Sequence, residues 1–441
     1  MDKVYFYKKG NYDNDEIKKI FKENRLLCEF DHIAERFIKE KRNKVKPEFR
    51  QLYLVITEAC NFNCQYCRQI THGLKRNTFM NKKEAYEIID QFFKLAENKP
   101  SGVVFYGGEP LLNKKVLLNS INYIRKKEKE LKIKKLIDLT IITNGTNIDL
   151  QTAKALEKNE VYIIVSLDGR KKEHDKLRIY KNGRGTFTDV LKGYNIYKSA
   201  GCKVGISCTI GGHNCDDLIS VFHYFTEKLK PVNVGINLPH DDYKNPLNEG
   251  LNFKHLYRNL FKIFERYTKK GLYIEHIMRK LNLLFKQEIK INDCPACGGR
   301  LVALPGKKMG ICEGAIGIDR FFSKDIKESL KMASNWYFTS PLFDKKCSDC
   351  LALGLCGGGC PFDGYLQKEE VGRKDERRCF FIKKTVRWGL EHFCLANKEK
   401  IKKEGIFAPN KEEQNIFLKS IKATGNKLPL RSSANFSNMR I

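Results

Sequence analysis

Residues 52–67 read LYLVITEACNFNCQYC, an apolar run that passes directly into a loop with three cysteines. The run at 52–57 is rich in β-branched and aromatic side chains and predicts a buried strand. Cys60, Cys64 and Cys67 follow with the spacing Cys-x3-Cys-x2-Cys. Three thiolates on one tight loop can bind three irons of a [4Fe–4S] cluster, whereas a zinc ion would need a fourth protein ligand. The spacing favours a cluster, with zinc or incidental buried cysteines as alternatives.

Five more apolar runs follow this first one, separated by segments with helical periodicity. The predicted strands are 52–57, 102–106, 137–143, 161–167, 203–209 and 232–238. The predicted helices are 82–96, 114–130, 149–158, 187–200 and 215–229, with a further helical stretch at 253–288. Short buried strands that alternate with helices indicate an α/β fold with a parallel sheet. In such folds the chemistry lies on loops at the carboxyl ends of the strands.

Composition limits the classes of protein that this chain can belong to. It has 441 residues, of which 41% are hydrophobic, and this excludes wholesale disorder. The formal net charge is +30, mostly from lysines on predicted helix surfaces. These lysines form either a solvated surface or a field that attracts an acidic peptide or nucleic acid. No RNA-binding pattern with interleaved aromatic residues favours nucleic acid, so we do not expect that partner.

The sequence also predicts a cytoplasmic location. The first residues, MDKVYFYKKGNY, lack the apolar stretch of a signal peptide, and no run of 18 apolar residues occurs. We therefore expect no membrane partner. Because cytosolic thiols stay reduced, clustered cysteines indicate metal ligands or redox groups.

A second cluster of eight cysteines lies in a glycine-rich region between residues 291 and 380. Its members are Cys294, Cys297, Cys312, Cys347, Cys350, Cys356, Cys360 and Cys379. Eight ligands suffice for two four-ligand sites, and spacing by itself is compatible with two structural zinc ions.

Further candidate binding residues lie in the first cysteine loop and at the ends of later predicted strands. The candidate cofactor-binding residues are Tyr66, Gly107, Gly108, Glu109, Pro110, Asn144, Ser166 and Arg178. Glycines at a strand end allow close backbone approach to a ligand, and a carboxylate can accept hydrogen bonds from an amine. Ordinary turn chemistry and helix capping are the alternative for each of these positions.

Taken together, these motifs resemble those of a known family. The cysteine loop with Tyr66, followed one βα unit later by Gly-Gly-Glu-Pro at 107–110, is similar to the signature of the radical S-adenosylmethionine (SAM) superfamily. The run SLDGRKKEHDKLR at 166–178 is similar to a segment of its peptide-modifying members. The spacing Cys-x2-Cys-x5-Cys-x3-Cys from residue 347, with a distant last cysteine, resembles the SPASM domain, which carries auxiliary clusters. The resemblance covers about residues 51–380.

The resemblance implies a fold and a division into domains. We expect a partial (β/α)6 TIM-like barrel at 51–290 and a cysteine-rich iron–sulfur domain at 291–380. A short helical segment at 1–50, with a possible role in partner docking, would precede them. A helix and tail at 381–441 would follow.

The resemblance also implies the ligand sets. Cys60, Cys64 and Cys67 would hold the SAM-binding [4Fe–4S] cluster. The auxiliary [4Fe–4S] clusters would use Cys294, Cys297, Cys312 and Cys360 for the first and Cys347, Cys350, Cys356 and Cys379 for the second. Gly306 is one residue further from Cys312 than in the usual pattern. An alternative is therefore that Cys294 is not a ligand and that the first auxiliary cluster has an open iron.

The activity implied is reductive cleavage of SAM to a 5′-deoxyadenosyl radical, which abstracts hydrogen from a ribosomally made precursor peptide. The product would carry a thioether or carbon–carbon crosslink or a related modification. A cellular one-electron reductant of the flavodoxin or ferredoxin type would be a second partner. Sulfatase maturases of this architecture have an aspartate base directly after the cysteine that corresponds to Cys312. Glu313 is therefore a candidate catalytic base, with a surface glutamate as the alternative.

Three other functions remain open at this point. The first alternative is a sulfatase maturase that forms formylglycine. The second is a zinc-stabilised basic protein that binds nucleic acid, and the third is an iron–sulfur electron carrier without turnover of its own. Iron and zinc content, together with SAM cleavage under reductant, distinguishes them.

Overall fold

The computed structural model describes most of the chain between residues 47 and 396. The residues described are 47–73, 77–134, 136–239, 245–268, 277, 279–281, 283, 290–347, 350, 352–372 and 374–396. The predicted N-terminal segment, the final tail and Cys28 lie outside this range, as does much of the predicted helical stretch 253–288.

All six predicted strands are present, with ends within two residues of the expected ones. The strands are β1 Gln51–Thr57, β2 Gly102–Gly107, β3 Asp138–Thr143, β4 Tyr162–Ser166, β5 Val204–Thr209, β6 Val234–Asn237, β7 Arg300–Leu304 and β8 Lys308–Gly310. They form one eight-stranded sheet in the order β6-β5-β4-β3-β2-β1-β7-β8. Neighbours from β6 to β7 pair in parallel, and β8 runs antiparallel to β7. The prediction of an α/β fold with a parallel sheet is confirmed.

Strands β7 and β8 extend this sheet beyond the six expected strands. The first strand of the barrel, β1, pairs with β2 on one side and with β7 on the other. β7 comes from the cysteine-rich region, so that region shares a sheet with the six βα units. The predicted boundary near residue 290 does not separate two independent sheets.

Helices connect the strands and cover the sheet. The α-helices are α1 Arg68–Thr71, α2 Lys82–Leu95, α3 Lys114–Glu130, α4 Leu150–Lys158, α5 Lys171–His174, α6 Phe187–Ser199, α7 Leu218–Tyr224, α8 Phe253–Thr268, α9 Ile326–Tyr337, α10 Leu353–Cys356, α11 Pro361–Lys368 and α12 Glu376–Ala396. In α2 the buried apolar side chains recur at helical spacing, as with Ala85, Ile88 and Phe92, and so form one face against the sheet. Asn81 caps α2 by accepting a hydrogen bond from the backbone N–H of Glu84.

The last helix, α12, packs on the barrel through aromatic side chains. Tyr257 on α8 stacks on Phe381 at a centroid distance of 4.7 Å, and Phe264 meets Trp388 edge-on at 5.1 Å. The Trp388 indole N–H also donates to Glu265 at 2.9 Å. These contacts hold the segment that follows Cys379 against the βα units. No helix among the described residues is long and apolar enough to span a membrane.

Candidate active site

The cysteine loop follows β1 at the carboxyl end of the sheet. Cys64 is buried, and Cys60 and Cys67 are half-buried. The backbone N–H of Cys67 donates to the carbonyl of Cys64 at 3.0 Å, which turns the loop back on itself before α1. Burial raises the pKa of the Cys64 thiol to about 12; Arg178 opposes this shift, whereas Cys67 and Cys60 add to it. The three thiols are thus close enough to repel one another as thiolates, and a bound metal would relieve that repulsion.

Two glycines let the end of β2 lie directly against this loop. A Cβ atom on Gly107 would be 2.1 Å from the carbonyl oxygen of Thr57, and one on Gly108 would be 2.2 Å from that of Ala59. The φ of Gly107, +151°, is itself uncommon for other residues. Any side chain at either position would push the strand end away from the cysteine loop.

Glu109, in contrast, points away from the cavity that these loops enclose. Its carboxylate is buried and accepts hydrogen bonds from the Thr143 hydroxyl at 2.8 Å and from the backbone N–H groups of Asn144 at 2.6 Å and Leu111 at 2.9 Å. Burial raises the pKa of Glu109 to about 7, against the effect of these donors. These three donors belong to the protein itself, and the contact of Glu109 with an amine stays a prediction. Glu109 ties the end of β2 to the end of β3, and Pro110 starts a buried 3-10 turn behind it.

Asn144 and Ser166, at the ends of β3 and β4, both line the cavity. The Asn144 side-chain amide donates to Asn61 at 2.8 Å, and Asn61 in turn donates to Thr146 at 2.9 Å. This chain of hydrogen bonds connects the β3 loop to the cysteine loop.

Asp168, directly after β4, organises the opposite wall. Its buried carboxylate pairs with Arg178 at 2.7 Å and accepts hydrogen bonds from the Tyr66 hydroxyl and from the backbone N–H of Thr209 at 2.9 Å. Burial by itself would raise the pKa of Asp168, but Arg178 and then His213 outweigh it and hold the pKa below its ordinary value. The Arg178 guanidinium lies 5.3 Å from the Tyr66 ring centroid. Tyr66 and Arg178 thus reach the cavity as one unit fixed by Asp168.

His174 braces the loop that carries Arg178. Its Nδ1 accepts from the backbone N–H of Asp168 at 3.3 Å, and its Nε2 lies 3.0 Å from the Thr186 hydroxyl. That hydroxyl donates to the carbonyl of Arg178, so Nε2 carries the proton and the ring is neutral. Burial lowers the pKa of His174 to about 4.

This arrangement predicts a pH dependence of stability. The folded pKa of His174 is depressed, so its contribution is present above the unfolded value of about 6.5 and is lost as the pH falls towards 4. We expect His174→Asn, which keeps an acceptor near Nδ1, to lose less stability over this range than the parent. The difference should approach roughly 1.4 kcal/mol per pH unit. Melting temperatures of both proteins from pH 7.5 to 4.5 measure it, and parallel curves would contradict the prediction.

The first downstream set of cysteines borders the same cavity. Cys294, Cys312 and Cys360 line it, and Cys297 is buried beside them. Burial raises the pKa of the Cys360 thiol, and charges on Cys294 and Cys312 contribute in the same direction. Cys294 thus lies with the other three, which favours four ligands over the alternative that omits it.

The other downstream set surrounds a separate small cavity. Cys347, Cys350, Cys356 and Cys379 all line it, together with apolar side chains from α10 and α12. Burial raises the pKa of the Cys379 thiol to about 11, and Cys356 and Cys350 add to the shift. The structure therefore brings each predicted set of four together. Cys202, Cys208 and Cys215 are buried away from both sets, and the side chain of Cys394 lies outside the described residues.

These sets suit iron–sulfur clusters by their chemistry. Their ligands are all thiols, and several sulfur atoms accept hydrogen bonds, which tune the reduction potential of a cluster. The backbone N–H of Phe62 donates to Cys60 at 3.4 Å, that of Gly358 to Cys356 at 3.4 Å, and the Arg300 guanidinium to Cys294 at 3.8 Å. Within the described ranges, no three His, Cys, Asp or Glu side chains are arranged to hold a single metal ion. A four-iron cluster spreads its ligands further apart, with one thiolate on each iron.

The cavity between the two cysteine regions has a volume of about 420 Å³. Its lining joins Cys60, Cys64 and Cys67 to the first downstream set and to Glu313. Glu313 is partly exposed there and pairs with Arg300 at 2.8 Å.

Arg178 was identified from the sequence, but four other arginines of this cavity were missed. Arg300 is the first residue of β7, and its buried guanidinium lies 4.9 Å from the Tyr53 ring centroid. Arg68 directly follows Cys67, and Arg279 and Arg378 also line the cavity. The chain has 82 lysines and arginines, and no local motif distinguishes Arg279, Arg300 or Arg378 from the others. The one available signal was the position of Arg68 beside a cysteine ligand motif.

The fold and this cavity define a class of protein: an α/β enzyme with cysteine-lined cofactor sites at the carboxyl ends of parallel strands. The family model described as "Radical SAM superfamily" matches residues 54–225. Residues 54–225 therefore carry a radical SAM domain, and proteins with this domain use SAM and a [4Fe–4S] cluster as cofactors.

Two relatives with a described function align with most of the chain. It is 23% identical over 406 residues to the radical SAM cyclopropyl synthase TigE of Paramaledivibacter caminithermalis, covering 86% of this chain and 83% of that protein. It is 24% identical over 373 residues to the cysteine-type anaerobic sulfatase-maturating enzyme of Clostridium perfringens, covering 80% and 95%.

Solved structures share the fold. The sulfatase-maturating enzyme anSMEcpe with bound AdoMet superposes with a TM-score of 0.63 at 21% identity, covering 80% of this chain and 99% of that one. SuiB of Streptococcus suis, bound to its precursor peptide SuiA, gives a TM-score of 0.54 at 17% identity and covers 82% of each chain.

Proposed function

We propose that this enzyme modifies a ribosomally made peptide by a thioether or carbon–carbon crosslink or a related change. The proposal rests on one observation. The Cys60–Cys67 loop lines one wall of an open cavity, and the other wall contains Cys294, Cys312, Cys360 and Glu313. A peptide segment in that cavity would lie between a radical source and an acceptor for the remaining electron. The likeness to SuiB, whose solved structure contains its precursor peptide SuiA, supports a peptide substrate.

In this proposal, the three loop cysteines hold the SAM-binding cluster and the two sets of four hold auxiliary clusters. When bound and reduced by a flavodoxin- or ferredoxin-type partner, SAM supplies a 5′-deoxyadenosyl radical that abstracts hydrogen. Tyr66, Asn144, Ser166 and Arg178 hold SAM by their side chains, and Gly107 and Gly108 by their backbone. Glu109 and Pro110 keep the β2 end in place.

The protein residues would contribute position, exclusion of water and proton transfer. Abstraction requires the substrate carbon within roughly 3–3.5 Å of the radical, which fixed strand ends can provide. The cysteine-rich region, attached to β1 through β7, closes one side of the cavity and limits access of water. Glu313 would accept a proton from the substrate, with Arg300 orienting its carboxylate through their 2.8 Å contact.

We expect Glu313→Gln to slow peptide modification by at least about 100-fold while leaving SAM cleavage within a few fold of the parent, because general bases contribute roughly 10²–10⁴. Liquid chromatography of 5′-deoxyadenosine and mass spectrometry of the peptide give the two rates. Asp319→Asn, at an exposed carboxylate paired with Lys308, is the matched control. Equal loss of both rates in Glu313→Gln would assign Glu313 a structural role.

The decisive experiment combines metal analysis with a search for the peptide. Anaerobically reconstituted protein should contain about twelve irons per chain for three four-iron clusters, and should form 5′-deoxyadenosine with dithionite and SAM. Short peptides encoded beside the gene are then incubated and examined for losses of two hydrogens. Zinc in place of iron, with no SAM cleavage, would refute the proposal.

Formylglycine formation is the second candidate. It is favoured by the 95% coverage of the Clostridium perfringens sulfatase-maturating enzyme and by the acidic residue directly after Cys312. Incubation with a sulfatase peptide bearing cysteine or serine separates the two functions, since formylglycine forms within a single residue and creates no crosslink.

A further inference from the structure

Arg68 occupies an unusual position between the two cysteine regions. It follows Cys67 on α1, and its half-buried side chain lines the cavity. The guanidinium passes so close to Gly314 that a Cβ atom there would be 2.3 Å from its Nη1 atom. Arg68 thus reaches from the radical-generating wall to the residue that follows Glu313.

Each of the other arginines that line the cavity is paired with a protein carboxylate. Arg178 is paired with Asp168 at 2.7 Å, Arg279 with Asp293 at 2.7 Å and Arg300 with Glu313 at 2.8 Å. Arg378 contacts Asp363 in the same way. The Arg68 guanidinium has no hydrogen-bond acceptor and no carboxylate partner among the described residues.

A planar guanidinium in the wall of a cavity is suited to bind a carboxylate through two parallel hydrogen bonds. Arg178 is already paired with Asp168, whereas Arg68 has no carboxylate partner among the described residues, so the two arginines differ in the charge that they can neutralise. The Arg68 group lies beside Gly314, next to the candidate base, where a substrate would have to extend.

We propose that Arg68 binds a carboxylate of the peptide substrate, either an aspartate or glutamate side chain or the C-terminal carboxylate. This inference rests on the proposed function and names the chemistry of the residue presented in the cavity. Binding there fixes the neighbouring carbon relative to the cysteine loop, and Arg68 acts as a specificity-determining residue.

Calorimetric titration of the anaerobic holoenzyme with saturating SAM tests the proposal. The probes are N-acetylglutamate N-methylamide, N-acetylglutamine N-methylamide and N-acetylglycine. We expect the parent to bind the glutamate probe or N-acetylglycine at least tenfold more tightly than the glutamine probe. Arg68→Gln should reduce that preference to less than twofold. Arg258→Gln, which removes an exposed arginine on α8, should retain it.

The outcomes are distinct. Preference for the glutamate probe assigns a side-chain carboxylate, and preference for N-acetylglycine assigns a C-terminal one. No preference in the parent, or an unchanged preference in Arg68→Gln, overturns the inference. A loss of SAM affinity in Arg68→Gln would assign the group to the SAM carboxylate and overturn it as well. Absence of iron or of SAM cleavage in the parent would refute the proposed function instead.

Discussion

Replacing Cys64 with alanine is expected to remove about four of about twelve irons and to abolish 5′-deoxyadenosine formation. The other two thiols of the loop are half-buried and cannot by themselves retain a four-iron cluster that needs three protein ligands. Without that cluster, nothing delivers an electron to SAM. The two sets of four lie on other elements, so their irons should remain. Iron and sulfide content and the deoxyadenosine assay measure the two effects on one sample.

Cys215→Ala is the matched control because Cys215 is buried away from every cysteine set. It should retain all of the iron and most of the activity, at a modest cost in stability. If Cys64→Ala kept its full iron content or still cleaved SAM, the assignment of the loop as the SAM-cluster site would be wrong.

Replacing Asp168 with asparagine is expected to destabilise the protein strongly. The carboxylate and the Arg178 side chain are 0% and 9% exposed, so the variant leaves a buried guanidinium without a counter-charge. Removing one partner of a buried pair costs about 3–5 kcal/mol, which predicts a fall in melting temperature of at least about 5 °C. Because Tyr66 and Arg178 depend on this carboxylate for their positions, we also expect weaker SAM binding.

Two further variants test whether the unpaired guanidinium causes the loss of stability. The double variant Asp168→Asn with Arg178→Gln should lose less stability than the two single losses added together, since it leaves no unpaired charge. Glu130→Gln breaks the exposed Lys126–Glu130 pair, whose side chains are 70% and 54% exposed, and should change stability by less than about 0.5 kcal/mol. A melting temperature for Asp168→Asn equal to that of Glu130→Gln would show that the buried pair does not stabilise the fold.

Much of the site could be predicted because its signals are local. The six strands are short runs of buried β-branched residues, and each is followed by a turn that places its functional side chains at one edge of the sheet. The family resemblance implied three cysteine sets, and the cysteines of each set lie together in the structure. The SLDG segment also lies at the end of a predicted strand, and its residues Asp168 and His174 brace the loop that carries Arg178.

Other features depend on contacts between distant parts of the chain. Strand β7 was missed because RLVAL follows a cysteine-rich turn and its partner β1 lies about 250 residues earlier. The hydrogen bonds of the Glu109 carboxylate also depend on such contacts, since two of its three donors, Thr143 and Asn144, lie at the end of β3.

The sequence by itself determined six of the strands and, through its motifs, the resemblance that implied the three cysteine sets, because these depend on residue type and local spacing. Only the tertiary structure decided which arginines face the cavity and which carboxylates pair with them. Charge pairing across 10 to 15 residues depends on how the elements pack, and the many lysines and arginines of this chain look alike until burial distinguishes them.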